Sequence, residues 1–449
     1  MLSRRTRGTR LRRPGVSWRR RGCALAAAAA AALPAAALAP ATAARADIVR
    51  SSEDWVLSEL NVEPAWQLST GTGVIVAVID SGVDPNVPDL TGQVTSGPNY
   101  SGVRTSPDNP NWGVHGTWMA SLVAGHGHGP DNSDGIVGTA PNSRVLSIRV
   151  ITDAKDPDYH QYEAESASTG QHELAEGILY AIRHHAGVIS MSLGYSLPSR
   201  PVRAALQDAY EHNVVVVASA GNSGDTAGAD GTGNAPYSFP ANYPGVLAVA
   251  AVNASGQVAS FSSENLSVQV AAPGYKVPAE GRDGQYWYVS GTSPACALTA
   301  GVVALIKSRY PGLTDPQVIS AITSSTSSST RPPSGYDDQI GFGVVNAYAA
   351  LTAAGRIARE PAPPAGMPAA GHFGGGPSAI PAPPVAPRGP GALIWYCILG
   401  VAALAVVALA TSRLLAARDA MSAGLPAGRE PPARHAASRP RGGRGAGIS

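Results

Sequence analysis

Four short segments carry side chains that together could cleave an acyl bond. The first, Val76-Ala-Val-Ile-Asp80-Ser-Gly-Val-Asp84, delivers a carboxylate at the end of an apolar run, followed by a Ser-Gly turn. A buried acid there can orient a histidine and stabilise its charged form, although alone it would equally cap the turn. The second, His115-Gly-Thr-Trp-Met-Ala-Ser-Leu-Val-Ala-Gly125, sets an imidazole at a helix start, and the following glycine allows close approach to a neighbouring loop. Histidine, with an ordinary pKa near ~6.5, suits base and then acid duty, while a single histidine is more often structural. In the third, Val289-Ser-Gly-Thr-Ser293-Pro-Ala-Cys, Pro294 fits the first position of a helix. Ser293 then opens that helix, where the dipole and free N–H groups favour negative charge; an ordinary N-cap serine would look the same. The fourth runs from Val214–Val217 into Ala218-Ser-Ala-Gly-Asn222, a strand-end amide able to join the N–H of Ser293 in binding an oxyanion.

These groups need a scaffold that ends strands and starts helices in one place. Val74–Ile79, Arg144–Val150, Gly187–Ser192, Val214–Ser219, Val246–Val252 and Val268–Ala272 read as buried strands rich in Val and Ile. Between and after them, Glu173–His185, Pro201–His212, Ser293–Tyr310 and Pro316–Ser324 have helical spacing. Such alternation predicts an α/β fold, a parallel sheet with helices on both faces and function at the carboxyl ends of the strands. Asp153 to Gln171 is polar and aperiodic and reads as a surface insertion, and Ser324–Ser334 as an exposed loop.

In the order Asp80, His115, Asn222, Ser293, the constellation resembles the subtilisin-like family, whose triad order differs from that of chymotrypsin or the α/β-hydrolases. The resemblance runs from about Trp55 to Leu351 and takes in Gly135-Ile-Val-Gly-Thr-Ala-Pro141, Ser192-Leu-Gly194 and Gly341-Phe-Gly-Val-Val-Asn346. It implies the subtilisin-like three-layer fold. It also implies that Asp80 orients His115, His115 activates Ser293, and Asn222 with the Ser293 N–H holds the oxyanion. Ser192, Leu193 and Gly194, with Ala220 and Gly221, would bind an extended peptide as an added strand. Two departures stand out. Ala297 replaces the proline usual four residues after the nucleophile, and only a few residues separate Ala46 from the catalytic segment, where most secreted members carry a folding pro-domain.

The flanks set a location. Residues 1–22 hold nine arginines and no acid, 24–44 are mostly alanine, and Ala44-Arg45-Ala46 fits a cleavage site, so 1–46 reads as a signal peptide. After a catalytic domain over 47–355, a Pro/Ala/Gly-rich linker occupies 356–391. The uncharged apolar run 392–412 is long enough for a transmembrane helix, and 413–449 forms a basic tail. Seven arginines against two acids place that tail in the cytoplasm and the domain outside. The remaining exported part carries sixteen basic and twenty-nine acidic residues, near −13, which argues against nucleic acid as partner. Linker and span together make the chain similar to the mycosins, membrane-anchored subtilases, which implies association with a type VII secretion complex.

Other candidates carry less. His126 and His128 flank Gly127 in what reads as a flexible loop rather than a metal site. His184 and His185 end a helix, and Cys296, alone in the exported domain, reads as a small core residue that leaves no disulfide possible there. No acidic cluster specifies calcium, and no cofactor is expected. Two functions from different classes fit: an anchored endopeptidase processing exported proteins, and a subtilase-shaped scaffold for a secretion complex. An esterase with the same triad fits Ser192–Gly194 less well.

Overall fold

The computed structural model describes residues 41–226, 235–327, 329–360 and 411–413. Most of the predicted signal segment, linker, span and tail lies outside these residues. No helix among those described is long and apolar enough to cross a membrane.

Eight helices of the unit Met1–Gly376 are described: α1 (Ala41–Glu59), α2 (Val62–Trp66), α3 (Val114–Ala124), α4 (Tyr159–Arg183), α5 (Arg200–Glu211), α6 (Thr292–Arg309), α7 (Asp315–Thr323) and α8 (Ala347–Ile357). The strands are β1 (Ile75–Asp80), β2 (Val94–Asn99), β3 (His126–His128), β4 (Asp134–Val137), β5 (Arg144–Arg149), β6 (Val188–Met191), β7 (Val215–Ser219), β8 (Val246–Val252), β9 (Val270–Pro273), β10 (Val277–Glu280) and β11 (Tyr286–Val289). Seven form a parallel sheet in the order β2-β5-β1-β6-β7-β8-β9, while β3 pairs with β4 and β10 with β11.

Side-chain alternation explains why the strands read as unbroken apolar runs. Val76 and Val78 of β1 pack into one core with Leu122 of α3 and Leu298 of α6, while Ala77 and Ile79 face a second core with Leu174 of α4 and Leu206 of α5. Both faces are covered, so neither set can be polar. In α6, every residue from Pro294 to Lys307 is buried, as befits a helix passing through the core. The chain leaves β1 to form β2 and then β5 on one side and later reaches β6 on the other. Such a reversal opens a crevice beyond the carboxyl ends of the strands, and Asp80 ends β1.

Three expectations are corrected. The stretch from Asp153 to Gln171 is not an irregular insertion, because α4 begins at Tyr159. Its first turns face solvent and so lack apolar periodicity, which begins only where α4 packs on the sheet. Asp156 in the preceding loop is buried and paired with buried Arg149 at 2.9 Å. His126-Gly-His128 is not a loose loop but β3, and His128 Nδ1 lies 2.6 Å from Asp89 Oδ1. Finally, α6 starts at Thr292, so Ser293 is its second residue and Pro294 its third. Gly291, nearly extended at φ 154° and ψ 174°, precedes its first turn.

Carboxyls from three distant segments meet in the interior: Glu53 of α1, Asp89 and Glu280 of β10, all fully buried. Asp89 Oδ2 accepts from Ile136 N at 2.7 Å, Glu280 accepts from Asp89 N at 3.0 Å, and Glu53 accepts from Val137 N at 2.9 Å. Burial raises all three, and pushes Glu53 from 4.5 up to about 8. The folded value lies above the unfolded one. The contribution of Glu53 to stability is therefore complete below 4.5 and is lost progressively as pH rises to about 8. Glu53→Gln, a neutral isostere, is expected to flatten that decline in denaturant unfolding of the full chain at pH 5 and pH 8. An unchanged decline would acquit Glu53.

Candidate active site

Each candidate group stands at the end of a strand or the start of a helix. Asp80 closes β1 and is 1% exposed, so its carboxylate must be satisfied by the protein. Its Oδ1 accepts from Ser81 N at 2.7 Å, and His115 Nδ1 lies 2.8 Å from Oδ1 and 3.0 Å from Oδ2. That pairing commits Nδ1 to the carboxylate and leaves Nε2 for other work. The approach requires Gly116, since a Cβ there would drive into the Gly82 carbonyl of the turn after Asp80. Burial lowers the proton affinity of His115, but the charge and hydrogen bond of Asp80 and the charge of Asp153 overcome it, so its pKa is raised above the ordinary 6.5.

Ser293 is half-buried at the start of α6, with its hydroxyl donating to Ser192 O at 3.4 Å and its carbonyl accepting from Ser192 Oγ at 3.1 Å. Among the described residues it makes no hydrogen bond to His115, and catalytic contacts of this kind commonly close only with substrate present. The amide of Asn222 is oriented by Thr292. Oδ1 accepts from Thr292 N at 2.8 Å and from Thr292 Oγ1 at 3.0 Å. With the oxygen so engaged, Nδ2 of the exposed Asn222 has no acceptor among the described residues and lies beside Gly291 at the N-terminus of α6. Thr292 Oγ1 also accepts from Gly221 N at 3.2 Å, tying the loop after β7 to the helix that carries the serine.

A cleft of about 300 Å³ opens beside Ser293, lined among others by Ser192, Leu193, Gly194, Gly221, Asn222 and Tyr237. Among the described residues, no charged side chain lines it. Ala220 is fully buried and donates to Val249 O, so it supports the floor rather than facing the cleft. Gly194 is exposed, and neither it nor Leu193 has a backbone hydrogen bond to another described residue, which leaves an edge for an incoming strand. A larger hollow of about 620 Å³, bounded by Ile48, His128, Tyr286 and Trp287, contains none of these groups. Cys296 is buried, with its thiol pushed up to about 12 by burial, and is inert there. Among the described residues no group of three or more His, Cys, Asp or Glu is arranged to hold a metal ion.

Sequence reasoning missed Thr292, Ser81 and Asp153. Ser81 Oγ accepts from Gly116 N at 3.1 Å, and Asp153 Oδ2 and Oδ1 accept from Val114 N and His115 N, each at 2.9 Å. The one signal available was a carboxylate four residues beyond a buried strand.

The arrangement is a serine hydroxyl at a helix start, an imidazole held by a carboxylate, and an amide donor, all at the strand ends of a doubly wound parallel sheet. The chain belongs to the subtilase family of serine endopeptidases, whose profile matches residues 71–343. It is 34% identical to fervidolysin of Fervidobacterium pennivorans over 326 residues, which are 67% of this chain and 44% of that protein. It thus spans less than half of fervidolysin. Against subtilisin of Bacillus pumilus it is 34% identical over 282 residues, 63% of this chain and 92% of the other. Among solved structures, MycP1 from the ESX-1 type VII secretion system superposes with a TM-score of 0.54 at 29% identity, over 66% of this chain and 85% of that one. The expected likeness to subtilases, and to mycosins among them, is met.

Proposed function

We propose that this protein is a membrane-anchored extracellular serine endopeptidase that processes exported polypeptides. The observation that carries the chemistry is the buried Asp80 carboxylate bonded to His115 Nδ1 while Thr292 holds the Asn222 amide by its oxygen and leaves the nitrogen to donate. With a peptide in the cleft, the Ser293 hydroxyl swings from Ser192 O to His115 Nε2, gives up its proton and attacks the carbonyl carbon. The N–H of Ser293 and Asn222 Nδ2 receive the oxyanion; losing one such donor costs about 10²–10³ in kcat. His115 then protonates the leaving amine, and water hydrolyses the acyl-enzyme by the same path in reverse. The described lining of the cleft, polar but without charge, favours an uncharged residue before the scissile bond. The signal-like 1–46, the apolar 392–412 and the basic tail support export and anchoring, and the likeness to MycP1 supports work beside a type VII secretion complex.

The test compares a peptide amide with four residues before the scissile bond against an amide and an ester of a single acylated residue. An endopeptidase gains most of its kcat/KM from the added residues, because remote binding energy is used at the reacting bond. Equal efficiency on the short ester would mark an esterase. Hydrolysis of none of them would leave a subtilase-shaped scaffold.

A further inference from the structure

An α-helix begins with four N–H groups that have no partner in the helix itself. In α3 the local cap is Gly113, in the left-handed region at φ 67° and without a side chain to lend. Thr117 N makes the helix's own first bond, to Gly113 O at 3.0 Å, and three of the groups before it are satisfied from outside the helix. Gly116 N donates to Ser81 Oγ at 3.1 Å. Val114 N and His115 N both donate to one carboxylate, Asp153, at 2.9 Å each. Asp153 is 38 residues away from His115 in the chain, so α3 is capped from outside.

We propose that Asp153 is a positioning residue that fixes His115 through the backbone of its own helix. This rests on the reading of His115 as the base. The residue is then gripped at two points by two carboxylates: the ring by Asp80, the backbone N–H by Asp153. A cap elsewhere would only stabilise the helix. This cap holds the N–H of the residue whose Nε2 must meet the serine, where an error of about 1 Å costs on the order of 10² in rate.

Asp153 is itself held firmly. Its carbonyl accepts from Asp156 N at 2.9 Å, and Asp156 is clamped to buried Arg149 at the end of β5, beside Asp80 in the sheet. The groups facing Asp153 are Asp80 and Ser81 after β1, His115 on α3 and Arg149 on β5. His115 in turn feels Asp80 and Asp153 and meets the edge of Trp118 at 6.2 Å. Removing the charge of Asp153 therefore removes one of the two that keep the imidazole protonated to higher pH.

Asp153→Ala and Asp153→Asn in the full chain test this, with the four-residue peptide amide as substrate. The Ala variant is expected to lose about 10² in kcat with KM within about threefold. The Asn variant keeps one acceptor for the helix start but not the charge. It should recover most of kcat while the acid limb of kcat/KM moves to lower pH. Titration of labelled histidine by NMR should show the same shift at His115 without reference to activity, and carries the test if the Ala variant does not fold. Wild-type kcat and an unmoved His115 titration in the Asn variant, with only Tm lowered, would reduce Asp153 to a helix cap. An inactive wild type would instead overturn the reading of the base.

Discussion

Replacing Ser293 by alanine is expected to lower kcat about 10⁶-fold, while substrate binding stays close to that of the wild type. Loss of the nucleophile in a subtilisin is of that size, and what survives, about 10³–10⁴ over water, comes from the oxyanion donors and binding. The structure indicates why binding should survive. Among the described residues Ser293 Oγ makes one long hydrogen bond, 3.4 Å to Ser192 O, so its removal strands none of them. The links that shape the cleft, Thr292 to Asn222 and Thr292 to Gly221, do not involve the hydroxyl. Hydrolysis by the Ala variant within a hundredfold of wild type, in a preparation free of contaminating peptidase, would place the nucleophile elsewhere.

Replacing Asp80 by asparagine should cost about 10⁴ in kcat, and it should also move the pH profile. Two effects arise from one bond. Nδ1 of His115 now donates to a carboxylate; an amide there can present its NH₂ instead and favour the tautomer with the proton on Nε2. That tautomer cannot accept a proton from serine. The second effect is electrostatic. Burial alone would depress the pKa of His115, and it is raised chiefly because Asp80 is charged. A base must be neutral to act, so wild-type kcat/KM should climb with pH through a point above 6.5. In Asp80→Asn the acid limb should fall to lower pH. A kcat within tenfold of wild type and an unmoved limb would exclude Asp80 as the partner of the base.

The features most legible in the sequence are those fixed by local pattern. Val246–Val252 is bounded to the residue, and the other five predicted strands lie within two residues of those found, because burial on both faces leaves little room for polar residues. Asp80, His115, Asn222 and Ser293 were readable because a strand end or helix start announces each. Asp153 was not, since a carboxylate that caps a helix 38 residues away leaves no local periodicity. The same reasoning covers Glu53 and Glu280, acids that a sequence reading assigns to solvent and the fold buries completely. The helix α8, Ala347–Ile357, and the polar edge strand β2 also escaped, one because alanine-rich turns carry little contrast and the other because half of it faces solvent.

Active-site labelling tests the central claim, that Ser293 is a nucleophile activated in place. The full chain is treated with a fluorophosphonate, digested with an unrelated protease and mapped by mass spectrometry, with residual hydrolysis followed in parallel. One adduct per chain is expected, on the peptide bearing Ser293, rising as hydrolysis falls. Hydrolysis that persists when Ser293 is fully modified, or that is lost while the adduct sits on another residue, would contradict the assignment.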